Sequence, residues 1–393
     1  MFRRKRLSGR HQIPRALTAI ALVATTVTGI EFAAQASASA ANTAAAAIPT
    51  GYTTVVNKGS GKCVDARSAA SADGTAVQQY TCNGSTAQNW QLVATDGGYY
   101  RVFTPYWRAW RAASWRRCYP VPQQIQLPAI KTMGWIPSPG PGISPDLAPG
   151  GERAGRRRFA AWRKDRLKGY DEYHDDLAGD DTSRLSAYLR FGCVSPLEVA
   201  IGARDFGGHP GGEEFCRQLA WRDFFYQVTA AFPDMAQKNY RPGPAWHEDA
   251  DALQAWRTGR TGIPIVDAGM RQLAAEGFMH NRARMITASF LTRNLGIDWR
   301  HGYRHFGGLL ADGDVACNAG NWQWVAGTGN NTRPNRVMNP LRQAQRFDNS
   351  GAYVRRYLPE LAGLSSSRIQ APWQLDDAER KQLDYPDPIV ELS

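Results

Sequence analysis

Apolar and polar positions divide the chain into three unlike stretches. Residues 16–29 (ALTAIALVATTVTG) form an apolar run too short to span a bilayer. Residues 48–102 change to short β-type runs separated by Gly, Ser and Asn turns. From about residue 151 onward apolar positions recur at helical spacing, and no alternating strand pattern appears after residue 160. The pattern predicts a helix over 264–277, where Pro264 suits the first turn and Gly277 the stop. It predicts a second over 280–296, with Met285, Ser289 and Leu291 to Arg293 along it and Gly296 at its end. The expected architecture is mainly α: an all-helical domain over 151–393, preceded by a small β-rich segment.

The start of the chain has the three parts of a secretory signal. Arg3, Arg4, Lys5 and Arg6 supply a basic end, 16–29 the apolar run, and ASASA (36–40) the small residues a peptidase needs. Residues 1–39 therefore read as a signal peptide, with no membrane span left after its removal. Residues 103–150 read as a linker, most clearly PSPGPGISPDLAPGG (137–151). Cys63 and Cys82 lie in a polar segment and could close a loop of roughly 20 residues, worth about 3 kcal/mol if oxidised. Cys193, Cys216 and Cys317 read as small buried hydrophobes, and no metal-ligand spacing is present, so no metal is expected.

A length of 393 residues allows two or three domains, and 43% hydrophobic with 21% charged residues fits a globular protein. The formal net charge of +12 favours a polyanionic partner such as nucleic acid, though an anionic surface satisfies it equally. Thirteen tryptophans suit a core and also stacking sites or cofactor pockets.

Four constellations carry candidate chemistry. In DGDVACNAGNWQW (312–324), Asp312 and Asp314 read either as helix caps or, beside Asn318, Asn321, Trp322, Gln323 and Trp324, as polar groups fixed against aromatic walls. The second group of acids or His needed for a metal is missing there. In HNRAR (280–284), Asn281, Arg282 and Arg284 read either as a solvated face or as guanidinium groups that meet phosphates or pair with Asp312. QLAWRDFFYQ (218–227) places Trp221 and Arg222 on an aromatic helix that serves as core or cofactor wall. DDTSRLSAYLRFG (180–192) opens a helix with Thr182, Ser183, Arg184 and Ser186, which suits an ordinary cap or a bound phosphate. No P-loop, GxGxxG fingerprint or HExxH motif occurs.

Five segments occur in order: TSRLSAYLRFGCVSP (182–196), LAWRDFFYQ (219–227), GRTGIPIVDAGMRQL (259–273), HNRARMITASFL (280–291) and DGDVACNAGNWQW (312–324). Together they resemble the helical FAD-binding domain of the DNA photolyase/cryptochrome family, and specifically the class I cyclobutane pyrimidine dimer photolyases. The resemblance implies FAD held by Tyr170, Thr182, Ser183, Arg184, Leu185, Ser186, Arg222, Asn281, Arg284, Asp312, Asp314 and Asn318. Asn318 matches the residue facing the flavin N5 in photolyases. Trp322, Trp299 and Trp246 match the family's electron relay, in that order outward. Trp221, Trp324, Met285, Asn281 and Arg282 match lesion-pocket positions that meet DNA containing pyrimidine dimers. The implied activity is light-driven repair of such dimers, and a cryptochrome-like photoreceptor without repair is the alternative within the family.

The chain departs from that family in three places. Gln218 stands where dimer photolyases often carry a Glu that hydrogen-bonds the thymine, and His174 where a DNA-contacting Arg is typical. In place of the usual N-terminal α/β antenna domain stands the β-type segment, so no antenna chromophore is expected. That segment, through Cys63 to Asp65, Gln78 to Cys82 and Gln88 to Trp90, resembles one repeat of a ricin B-type lectin. The lectin resemblance implies a sugar site at Asp65, Gln78 and Tyr80, a carbohydrate partner, and a third function as a secreted carbohydrate-binding protein. A signal peptide and DNA repair imply opposite compartments, outside the cell and in the cytoplasm.

Overall fold

The protein was analysed as a computed structural model that describes residues 30–33, 52–57, 63–66, 77–82, 90–91, 99–118, 144–206 and 208–392. The leader up to residue 29 and most of the stretch read as linker (119–143) lie outside these residues. The chain forms two compact units, Met1–Gly98 and Tyr99–Ser393.

In the first unit five short strands form one sheet. β1 (Ile30–Ala33) pairs antiparallel with β2 (Tyr52–Asn57), β2 with β3 (Cys63–Ala66), and β3 with β4 (Val77–Tyr80). β5 (Trp90–Gln91) pairs with the other end of β2. β1 falls inside the stretch read as a leader. Asp65 lies opposite Gln78 in the β3–β4 register. Cys82 is disulfide-bonded, and Cys118, Cys193, Cys216 and Cys317 are free.

The second unit is helical throughout its described residues. In order come α1 (Phe103–Ala112), α2 (Glu152–Asp165), α3 (Tyr170–Tyr173), α4 (Ser186–Arg190), α5 (Pro196–Arg204), α6 (Pro210–Ala231) and α7 (Ala250–Thr258). Then follow α8 (Pro264–Glu276), α9 (Asn281–Ser289), α10 (Trp299–Leu309), α11 (Val315–Ala326), α12 (Pro340–Phe347) and α13 (Ala352–Tyr357). α6 separates two cores: Phe215 and Leu219 join Trp162, Tyr170 and Leu185, while Phe224 and Phe225 join Phe103 and Ala319. A third and larger core, from α7 to α11, surrounds Trp256, Trp299 and Trp322. No helix among the described residues is long and apolar enough to cross a membrane.

Both helices expected from the pattern are present. Pro264 opens α8, and Gly277 closes it in the left-handed conformation at φ 58°. The second changes character part-way: after Ser289 the chain enters a π-helical turn, Phe290–Asn294, with Leu295 N–H reaching Phe290 O. Such an insertion shifts the following side chains by one position around the axis.

The stretch read as linker does not begin as an extended chain. Phe103, Tyr106, Trp107 and Trp110 fall at i, i+3, i+4 and i+7, and α1 lays this aromatic stripe against α6 and its neighbours. Trp110 Nε1 donates to Asp223 at 3.0 Å, and Arg111 pairs with Glu213 at 2.6 Å.

Candidate flavin site

The site grows from the junction of α4, α9 and α11. Asp314 is the N-cap of α11, accepting the Cys317 N–H at 2.8 Å through Oδ1. This places Asp312 two residues before the helix, where Arg284 of α9 grips it with both terminal nitrogens, at 2.8 and 3.2 Å. A hydrogen bond from the Ser186 side chain also reaches Asp312. Burial pushes the Asp312 carboxyl up, but the Arg284 charge and these hydrogen bonds outweigh it and hold it below the usual carboxylate range. Residues from three motifs therefore meet at one carboxylate: Ser186, Arg284 and Asp312.

The loop before α4 is conformationally marked. Asp180 and Arg184 are the two non-glycine residues with positive φ among the described residues, at 53° and 51°. Such backbone persists where its surroundings hold it. Here Arg184 is tied to Asp180 and, at 2.5 Å, to Glu276 of α8, and its guanidinium lies 4.4 Å from the Phe278 ring centroid. Arg158 of α2 donates to Ser183 O at 2.7 Å, and Ser183 Oγ accepts from Leu185 N–H at 3.3 Å. Thr182 Oγ1 is buried and has no hydrogen-bond partner. α4 is only five residues long, so it offers little helix dipole to an anion.

Other expected cofactor residues are distributed as follows. Leu185 and Tyr170 are buried in the core beside Phe215, and burial raises the Tyr170 phenol far above its ordinary range. Arg222 donates to Tyr226 Oη at 3.2 Å and covers its ring, while Tyr226 donates in turn to Asp314 Oδ2. Asn318 Nδ2 donates to Tyr303 O at 3.0 Å. Asn281 is exposed, and its Nδ2 lies 3.8 Å from Met285 Sδ.

The tryptophans run from core to surface. Trp322 is 2% exposed and Trp299 fully buried, whereas Trp246 is partly exposed. The Trp322 ring rests on Gly302 of α10, where an added Cβ would come within 2.0 Å of it. Trp299 opens the same helix one turn earlier. Its Nε1 donates to Asn239 at 2.9 Å. Trp246 adjoins His247, which bridges to Ile297, two residues before Trp299. A fourth indole, Trp256, packs edge-on to Trp322 at 6.0 Å and donates to Thr287 O.

The lesion-pocket candidates are less uniform. Phe103 stacks on Trp221 at 3.6 Å with the rings 8° apart, so one face of that indole is taken. Trp324 is partly buried at the edge of the large core. Arg282 is paired with Asp175 and covers the Phe347 ring at 4.3 Å. Gln218 donates to Glu214 at 2.7 Å. His174 Nδ1 lies 2.8 Å from Tyr170 O.

Sequence reading did not single out Glu214, Tyr226, Asp175, Glu276, Arg158 or Phe103. Glu214 had a local signal, being one helical turn before Gln218 on α6. The others meet partners distant in sequence, which no pattern along the chain announces.

A helical unit with a buried Arg–Asp–Ser junction, a strained hydroxyl-rich loop and a row of indoles is the frame of a cofactor-binding photochemical domain. Residues 215–393 match the family described as the FAD binding domain of DNA photolyase, and residues 42–106 the ricin-type beta-trefoil lectin domain-like family. The chain is 52% identical to a deoxyribodipyrimidine photo-lyase of Streptomyces griseus, over 77% of this chain and 67% of that one. It is 39% identical to the enzyme of that name from Alkalihalophilus pseudofirmus, with the same coverage. A crystal structure of a bacterial class III photolyase from Agrobacterium tumefaciens superposes with a TM-score of 0.70 at 36% identity, covering 76% of this chain and 67% of that one. A cryptochrome from Synechocystis sp. gives 0.64 at 35%, covering 74% and 66%. The chain belongs to the DNA photolyase/cryptochrome family.

The residues present fit FAD. Thr182 Oγ1 and His280 Nε2 are buried without hydrogen-bond partners, on the two segments that the Arg184–Phe278 contact brings together. Buried polar atoms of this kind call for a polar ligand. Thr182, Ser183, Ser186 and Arg284 supply donors suited to phosphate and ribose oxygens, and Asn318 an amide suited to a ring edge.

Proposed function

We propose that the chain is a deoxyribodipyrimidine photo-lyase that repairs cyclobutane pyrimidine dimers in DNA under light. FAD, when bound, supplies the light-excited electron donor. The chain's own residues do the rest. Thr182, Ser183, Ser186 and Arg284 would hold the cofactor, with Asp312 fixing the Arg284 fork. Trp246, Trp299 and Trp322 would carry electrons inward from solvent by hops between indoles, the last two of which are buried. The dimer leaves the duplex stack, at a cost lowered by its distorted pairing. Trp221 and Trp324 offer aromatic walls to it, and Gln218 a hydrogen bond.

The observation that carries this reading is the row of indoles. It leads from partly exposed Trp246 to buried Trp322, on the helix that the Asp312–Asp314 turn begins. The test is direct. The purified full chain, saturated with FAD, is mixed with an oligonucleotide containing one thymine dimer. Flavin absorbance bands and loss of the dimer only under blue light are expected. A protein that neither retains FAD nor removes dimers in light overturns the reading. A cryptochrome-like photoreceptor would keep the bands and leave the dimers intact, so the same assay separates it. The match of residues 42–106 to the ricin-type beta-trefoil lectin domain-like family supports a carbohydrate-binding module at Asp65, Gln78 and Tyr80. The signal-like start supports export and the repair reading supports the cytoplasm, and cell fractionation decides between them.

A further inference from the structure

Glu214 and Gln218 stand one turn apart on α6, and Trp221 and Phe225 continue the same stripe at i+7 and i+11. Gln218 Nε2 donates to Glu214 Oε1 at 2.7 Å. The other carboxylate oxygen, Oε2, accepts from Arg217 Nη1 at 3.2 Å. Arg217 lies over the Phe103 ring at 5.7 Å, and Phe103 stacks on Trp221. One connected set of contacts therefore fixes both the indole wall and the amide beside it.

The chemistry of this pair has one allowed sense. An ionised carboxylate only accepts hydrogen bonds, while a Gln amide has a donating end and an accepting end. Turning the amide over would set its carbonyl against the carboxylate and lose the bond. Glu214 thus selects the rotamer in which the NH2 end points back along the helix and the carbonyl points away from it. That carbonyl is an acceptor and nothing else. Thymine presents an N3–H donor between two carbonyls, whereas cytosine has an unprotonated N3 at the same place.

We propose that Glu214 is a positioning residue that orients Gln218 to accept the N3–H of a thymine-containing dimer, making the site prefer thymine over cytosine at that position. The proposal rests on the photolyase reading and deepens it to a substrate preference. A Gln without a fixed orientation can turn its NH2 end toward the cytosine N3, so the discrimination comes from Glu214 and not from Gln218 alone. Arg217 pairs with the Glu214 carboxylate at 3.2 Å, so no bare anion faces the DNA phosphates.

The test uses the full FAD-loaded chain and three single-stranded oligonucleotides, undamaged, with one thymine dimer, and with one cytosine-containing dimer used before it deaminates. Dissociation constants are measured in the dark by anisotropy, beside the repair yield in light and the melting temperature. The wild type should bind the thymine dimer about tenfold more tightly than its cytosine-containing counterpart, the loss expected from one buried hydrogen bond left unmade. Glu214→Ala should bring the two within about twofold of each other, at an unchanged melting temperature. Glu214→Gln should relax the discrimination as well, since a second amide can turn its NH2 end toward Gln218 and no longer fixes which end faces the base. A Glu214→Ala chain that discriminates as the wild type does overturns the proposal, as does a Glu214→Gln chain that discriminates as the wild type does. A wild type that binds dimer and undamaged DNA alike and repairs neither in light sinks the photolyase reading itself, and the proposal with it.

Discussion

His280 should make the helical unit acid-sensitive. It is 3% exposed and caps α9, its Nδ1 accepting the Arg282 N–H at 3.1 Å. Nδ1 is therefore unprotonated, and the buried Nε2 carries the hydrogen. Burial pushes the imidazole down from 6.5 to about 4; Asp175 and Asp180 nearby pull it up, and Arg282 and Arg184 push it down again. The sign follows from linkage. The folded chain prefers neutral His280, so its contribution is full above the unfolded value of 6.5 and is lost as pH falls towards about 4. Between about pH 7 and about pH 5 the loss from this group alone is about 2 kcal/mol. His305, lowered to about 4 by burial, acts in the same direction, while Asp267, raised to about 6 by burial, opposes it over the same range. The wild-type curve mixes all three, so the informative measurement is a difference between variants. His280→Asn keeps an acceptor for the Arg282 N–H and removes the titrating group. The smaller side chain costs the same at both pH values. Urea titrations of the full chain, followed by tryptophan fluorescence, should show the acid loss reduced by about 2 kcal/mol in the variant. An equal loss in wild type and variant would refute the argument and place the titrating group elsewhere.

Three other substitutions probe the site. Trp322→Phe should sharply slow the light-driven bleaching of the oxidised flavin absorbance without releasing FAD, as absorbance under lamp illumination would record. Gly302→Ala forces a methyl to within 2.0 Å of the Trp322 ring; it should lower stability by about 1–3 kcal/mol and also slow photobleaching, readable as a lower melting temperature beside the bleaching rate. Asp312→Asn leaves the Arg284 guanidinium without its charged partner; it should cost about 3–5 kcal/mol and deplete FAD from the protein after gel filtration.

Much of the helical unit was legible because its signals are local. Pro264 and Gly277 act through their own backbone preferences, so the ends of α8 follow from residue type. The Asp312-Gly-Asp314 turn shows both sides of an ambiguous motif. Asp314 is the ordinary helix cap and Asp312 the partner of Arg284, so the structural and the functional reading each describe one of the two carboxylates. Phe103 to Trp110 was misjudged as linker because the Pro- and Gly-rich text after it dominated, although its aromatics already stood at helical spacing. Pairings across the fold were not legible. Arg282 meets Asp175 across 107 positions and Tyr226 meets Asp314 across 88, and a charge pattern along the chain carries no information about either. The π-helical turn after Ser289 was hidden for a related reason: it depends on how the helix is held by its neighbours, such as Ser289 Oγ accepting Met338 N–H, not on its own composition.

The arginines at the site are architecture before they are anion receptors. Arg184 is held by Asp180 and Glu276, Arg282 by Asp175, and Arg284 by Asp312. Each is at most about a quarter exposed at the side chain, and each ion pair joins segments distant in sequence or braces the strained loop. Buried pairs of this kind gain little net stability over apolar packing, but removing one partner leaves an uncompensated charge. Their effect is to fix where the remaining donor atoms point. In the proposed repair function, the formal net charge of +12 would act on DNA through cations elsewhere on the surface. Steering by those cations brings the polyanion to the protein, and it weakens with salt. On the proposed function, selection of a damaged base would fall to neutral groups, the Trp221 indole stacked on Phe103 and the Gln218 amide bonded to Glu214. Affinity and selectivity therefore reside in different residues. Raising the salt concentration should weaken binding to damaged and undamaged strands alike, while the preference for the dimer persists.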